Sequence, residues 1–154
     1  MIRVLAIALV LAVAPAWAAE PLLGRWLLTS QAVSGQKTPI DELTLRITPK
    51  GQMLDFAYSV PVHDIQFVSL RFSAKPDGTQ ADVTDANGKK VGTVKVTKTS
   101  PVKYKVVLEG QGRPTAAGGM TVSADGKVLT SESESTRPGQ TAPTRMVQVF
   151  ARQQ

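Results

Sequence analysis

From Leu22 to Arg152 the chain is a succession of short apolar/polar alternations cut by turn-forming residues. That pattern favours an antiparallel sheet that closes on itself or packs on a second sheet. Glu42–Thr48 shows it plainly, with Leu43, Leu45 and Ile47 on one face and Thr44, Arg46 and Thr48 on the other. Gln52–Ser59 repeats it with Leu54, Phe56 and Tyr58, and Val102–Glu109 with Val102, Tyr104, Val106 and Leu108. Further strands are expected at Leu22–Thr29, Ile65–Ser73, Thr79–Thr84, Lys90–Lys98, Gly118–Ser123, Lys127–Ser133 and Thr144–Arg152. The turns between them are Pro49-Lys50-Gly51, Lys75-Pro76-Asp77-Gly78, Asp85-Ala86-Asn87-Gly88 and Ala124-Asp125-Gly126, each with residues that favour tight turning. Ser30–Lys37 and Arg137–Pro143 read as loops, and Gly110–Gly119 as an irregular segment or weak strand. Roughly nine or ten strands at near-regular spacing predict an all-β sandwich or barrel. No sustained helical period follows the first 19 residues, and no repeat argues for a propeller.

The opening residues differ from the rest. Arg3 precedes the unbroken apolar run Val4–Val13, and Ala16-Trp17-Ala18 follows with small residues at the two positions a signal peptidase reads. This predicts a secretory signal over residues 1–18, a domain over 19–154, and export to the periplasm or the extracellular space. The apolar run falls short of the ~20 residues a membrane span takes, so no membrane span is expected after cleavage. The chain has no cysteine, which excludes a disulfide framework, a thiolate metal site and a thiol nucleophile. The formal net charge is +6. An exported protein rarely meets nucleic acid, so this charge points instead to anionic envelope surfaces or to solubility.

Residues suited to chemistry are sparse. His63 is the one histidine and neighbours Asp64, but the setting Val60–Ile65 leads into a strand. No metal or other cofactor is expected, because a metal site needs several ligands in one place. Asp41-Glu42 and Glu132/Glu134 read as solvated carboxylates rather than a catalytic pair. The serine-nucleophile signature G-x-S-x-G is absent, and no catalytic residue is expected. Lys95, Lys103 and Lys105 alternate with valines and Tyr104. They are expected on the outer face of one hairpin, near Lys89 and Lys90, as a solvated face or a patch for an anionic envelope surface.

Gly24-x-Trp26 on the first strand, the hairpin Ser123–Thr130 and the closing strand Val147–Gln153 resemble small secreted bacterial lipocalin-like proteins of mostly unassigned function. The resemblance implies an antiparallel meander of about eight to ten strands closed into a barrel. It also implies a late arginine lying across the tryptophan at the closed end. Arg152 is the candidate, with Arg145 second, so Gly24, Trp26 and Arg152 form the expected closure. Trp26, Leu54, Phe56, Tyr58, Tyr104, Val106 and Leu108 are candidates to line or fill the interior. The resulting expectation is a non-enzymatic barrel holding a small apolar or amphipathic molecule in its mouth. The alternative is a filled barrel acting as an envelope interaction or structural module through the lysine face or the 135–144 loop.

Overall fold

The computed structural model describes residues 20–62, 65–110, 115–136, 139 and 141–154. The expected signal segment and His63–Asp64 lie outside the described residues. Eleven strands follow in chain order: β1 (Gly24–Val33), β2 (Gln36–Lys37), β3 (Thr44–Lys50), β4 (Met53–Val62), β5 (Ile65–Ala74), β6 (Asp77–Asp85), β7 (Lys90–Ser100), β8 (Lys103–Gly110), β9 (Thr115–Val122), β10 (Val128–Thr136) and β11 (Thr144–Gln153). From β3 to β11 each strand pairs with the next, and β1 pairs with both β3 and β11. All pairings are antiparallel, so ten strands form a closed up-and-down barrel, with β2 a short addition beside β1. This is consistent with the barrel that the resemblance implies, and its closure leaves no unpaired edge among the ten.

Two segments differ from the reading of the sequence. Ser30–Lys37 is not a loop throughout. Ser30–Val33 continues β1, and Ser34 and Gly35, with φ of 50° and 82°, turn the chain into β2. A bulge at Thr29 hides this, because β11 passes from Phe150, opposite Leu28, to Val149, opposite Ser30. The extra residue shifts the inward phase of β1 by one and breaks the period-two pattern. The glycine-rich stretch read as irregular or a weak strand holds the start of a regular strand, β9, which runs on into the expected strand Gly118–Ser123. A Cβ at Gly118 would collide with the Glu132 carbonyl, and one at Gly119 would stand 2.9 Å from the Tyr104 carbonyl. Glycine serves close strand approach here rather than irregularity.

One end of the barrel is packed solid. Leu22, Trp26, Ile47, Leu54, Ala74, Tyr104, Val122, Leu129 and Phe150 point inward and are buried. Phe56 and Phe72, paired across β4 and β5, stack with ring centroids 4.5 Å apart. The outward face carries Arg25, Arg46, Lys95, Lys103, Lys105, Glu132 and Glu134, all exposed.

Asp55 is a buried exception on the outer face, 4% exposed. Arg71 donates to its Oδ2 from Nη2 at 2.8 Å and from Nε at 3.2 Å, and the Ser73 hydroxyl donates to Oδ1 at 2.6 Å. Burial acts to raise the Asp55 pKa. The hydrogen bonds from Arg71 and Ser73, with the charges of Arg71 and Lys50, outweigh it and hold the carboxyl below its ordinary value. A depressed folded-state pKa stabilises the fold above the unfolded carboxylate value of about 3.9, and that contribution is lost as pH falls through the folded value. Denaturant midpoints measured down the acid range are therefore expected to fall more steeply for the native chain than for Asp55→Asn. At neutral pH, Asp55→Ala is expected to cost about 1–3 kcal/mol. Parallel acid profiles would show that the pair contributes nothing.

Candidate functional site

The closed end is built around Arg152. Trp26 lies directly opposite it across the β1–β11 pair, and the guanidinium carbon stands 4.1 Å from the centre of the indole ring. Its Nη1 donates to the Leu23 carbonyl and its Nη2 to the Pro21 carbonyl, both at 2.6 Å, while Nε donates to the Gly126 carbonyl. The indole N–H of Trp26 donates to the Leu22 carbonyl at 3.0 Å. Two side chains thus capture three consecutive carbonyls, and the 20–23 turn becomes a plug with Leu22 fully buried inside. Gly24 is required here. Its φ of 143° is one that side chains rarely adopt, and a Cβ would meet Nη1 of Arg152 at 2.5 Å. Lys98 ties the plug to β7 through an ion pair with Glu20 at 2.7 Å, and its ammonium sits 5.6 Å over the Tyr104 ring. Arg145, the second candidate for the closing role, lies on the outer face instead and pairs with Glu132 at 2.8 Å.

The other half of the interior is different in kind. Inward-facing Tyr58, Leu70, Val106 and Leu108 pack against the core yet keep accessible surface. In a closed barrel an inward-facing side chain meets solvent only through the lumen. Tyr58 shows this best. Desolvation pushes its phenol well above the ordinary value. Tyr58 is thus packed by protein and still partly accessible.

Register then places further inward-facing residues on β10 and β11, beyond the β9 neighbours of Val106 and Leu108. Leu129, Ser131 and Ser133 of β10 face Phe150, Gln148 and Met146 of β11 and Val122, Met120 and Gly118 of β9. Phe150, Met120 and Val122 are core residues, so the serines and Gln148 project inward with them. Across the β1 bulge Gln148 meets Gln31, donating to its Oε1 at 2.9 Å, and Gln31 donates in turn to the Thr38 hydroxyl at 3.1 Å. One wall is thus apolar, with a tyrosine hydroxyl; the other carries two carboxamides and two hydroxyls.

Of the expected cavity residues, Trp26, Leu54, Phe56 and Tyr104 are packed into the filled half. Tyr58, Val106 and Leu108 face inward and keep part of their surface accessible. Gln31, Ser131, Ser133 and Gln148 are not among the expected residues. The strict Ser/Glu alternation over Ser131–Ser135 is the signal that marks them, since Glu132 and Glu134 are exposed and the serines are not.

The three lysines are exposed on the paired strands β7 and β8, but they do not form one cluster with Lys89 and Lys90. Lys90 pairs with Thr84 at the β6–β7 turn, whereas Lys103 pairs with Ser100 at the far end of β7. Lys105 shares an outer concavity with Glu132, Glu134 and Arg145, so its surroundings are of mixed charge. Among the described residues no three His, Asp or Glu side chains gather in a way that could hold a metal ion.

No protein-family model matches the sequence, and no curated protein matches it. Among solved structures the chain is similar to the crystal structure of Rv2717c from M. tuberculosis, at 18% identity and a TM-score of 0.33, covering 92% of this chain and 99% of that one.

The closed end makes Trp26 and Arg152 energetically coupled. A double-mutant cycle on Trp26→Phe and Arg152→Ala, read by denaturant unfolding, is expected to give a coupling of about 0.5–2 kcal/mol. Strictly additive losses would mean that the guanidinium gains nothing from the indole.

Proposed function

We propose that this chain is an exported, lipocalin-like barrel that binds a small amphipathic molecule in the open half of its lumen and catalyses no reaction on it. The observation that carries this reading is the accessible surface on inward-facing Tyr58, Val106, Leu108, Ser131, Ser133 and Gln148. An eight-stranded barrel is just wide enough to be filled by side chains or to hold one small ligand, and the diameter grows with strand number. Ten strands enclose more space, and this half supplies Gly118, Ala116, Ser131 and Ser133 towards it from β9 and β10, too little bulk to fill it. Apolar surface on one wall and amide and hydroxyl groups on the other suit a molecule with an alkyl or ring body and one polar, uncharged or weakly charged end. The polar wall offers donors and acceptors but no formal charge. It would orient such an end without paying the desolvation of a buried ion.

Trp26 is a poor reporter of this event, because it lies in the filled half beneath Arg152. A fluorescent fatty-acid analogue is the better probe. The purified exported chain is expected to bind it, and Ser133→Phe, which projects bulk into the lumen, is expected to weaken binding by about tenfold or more, or some 1.4 kcal/mol. Ser133→Phe with unchanged affinity, or a native chain that takes up no member of a panel of single-chain amphiphiles, would overturn the assignment.

A further inference from the structure

The outer face of β1, β3, β4 and β5 holds a second concavity, of about 310 Å³, that does not communicate with the lumen reading and does not depend on it. Arg25 of β1 stands directly opposite Arg46 of β3. Facing residues on antiparallel strands bring their Cβ atoms to about 5 Å, and like charges so placed are destabilising. Neither arginine has an ion-pair partner among the described residues, where the pairs are Arg71–Asp55, Lys90–Asp82, Lys98–Glu20 and Arg145–Glu132. Arg71, two strands beyond Arg46 along the same row, is already committed to Asp55.

The floor of the concavity beside Arg46 is small and hydroxyl-bearing. Ala57 faces Arg46 and is buried, leaving room above it. Thr44 and Ser59 face each other one row on and bring two hydroxyls to the same concavity, and Gln66 adds a carboxamide. Gln66 donates to Glu42, the acid that approaches this site, at 3.3 Å. Val68, 37% exposed, supplies an apolar border.

We infer that this concavity is an anion site for a phosphate group, held by the Arg25 and Arg46 guanidiniums with the Thr44 and Ser59 hydroxyls beneath. A phosphate would turn the repulsion of the arginine pair into two charge-assisted contacts. Guanidinium groups suit it because their forked donors match two oxygens at once. The phosphate can belong to a soluble phosphomonoester or to the headgroup of an anionic lipid.

The test uses the purified chain at low salt with inorganic phosphate, glycerol phosphate, and vesicles of phosphatidylglycerol or phosphatidylcholine. Binding is expected to at least one of the net-anionic phosphate probes (inorganic phosphate, glycerol phosphate or phosphatidylglycerol) and not to net-neutral phosphatidylcholine. Arg25→Gln and Arg46→Gln are each expected to weaken it about tenfold, while Lys95→Gln on the far side of the barrel leaves it unchanged. Vesicle binding without affinity for soluble phosphates assigns the site to a lipid headgroup, and the converse assigns it to a soluble ligand. Because removing one of two facing cations relieves repulsion, either arginine variant is expected to unfold at the same temperature as the native chain or higher, which separates lost binding from lost fold. No binding to any phosphate probe overturns the inference. So does binding that survives the double variant, or that Lys95→Gln weakens equally.

Discussion

The barrel is held shut at one end by a half-buried cation that has no carboxylate partner among the described residues. The Arg152 guanidinium is neutralised by three backbone carbonyls and the face of an indole instead. Burying a charge is costly unless its donors are satisfied, and here carbonyl dipoles satisfy them. This choice has a structural consequence that an ion pair would lack. The carbonyls belong to the 20–23 turn and to the β10-leading hairpin at Gly126, so one side chain on β11 fixes the first turn, the first strand and the last hairpin together. The β1–β11 pairing is the one contact that turns a meander into a ring. Trp26 opposite Arg152 is its second rung at the closed end, after Arg25 opposite Gln153.

From that closure the interior divides. Close to Arg152 large side chains meet across the lumen and exclude solvent: Leu22, Trp26, Phe150, Tyr104 and the Phe56–Phe72 stack. Further along, β9 and β10 contribute glycine, alanine and serine, and inward-facing residues regain accessible surface. The taper from filled to wet follows from side-chain size on two strands, not from any change in barrel topology. The polar groups there are tolerated because Gln148, Gln31 and Thr38 form a hydrogen-bonded chain and the serines are only partly buried.

Much of this architecture is legible in the alternation of apolar and polar residues. Glu42–Thr48, Gln52–Ser59 and Val102–Glu109 show their inward faces directly, and Asn87-Gly88 and Asp125-Gly126 mark turns that the structure contains, both glycines having positive φ. What escapes is whatever breaks the period for a local reason. Ser30–Val33 is hidden by the Thr29 bulge, and the start of β9, ahead of the expected strand Gly118–Ser123, by glycines that permit close backbone approach. The polar lumen wall is overlooked for another reason. Alternation says which residues share a face, but a Ser/Glu repeat carries no apolar marker to say which face is inside. The neighbours across the sheet decide it, and they come from register: Met120, Val122 and Phe150. Arg152 stands apart, since its place over Trp26 was suggested by resemblance and not by periodicity.

The triplet Gly24-Arg25-Trp26 shows how one short stretch serves two surfaces. Successive residues of a strand point to opposite faces. Trp26 therefore enters the closed end beneath Arg152, while Arg25 leaves the barrel and meets Arg46 on the outside. Gly24 sits on the inner side with no side chain because Arg152 occupies that space. The two surfaces are mechanically separable for this reason. A change at Arg25 alters charge on the outer wall and touches none of the groups that hold the plug. A change at Gly24 or Trp26 disturbs the plug and leaves both arginines in register on β1 and β3. The backbone pairing that both depend on, β1 between β3 and β11, is the shared element, so only damage to that pairing would affect the inside and the outside of the barrel together.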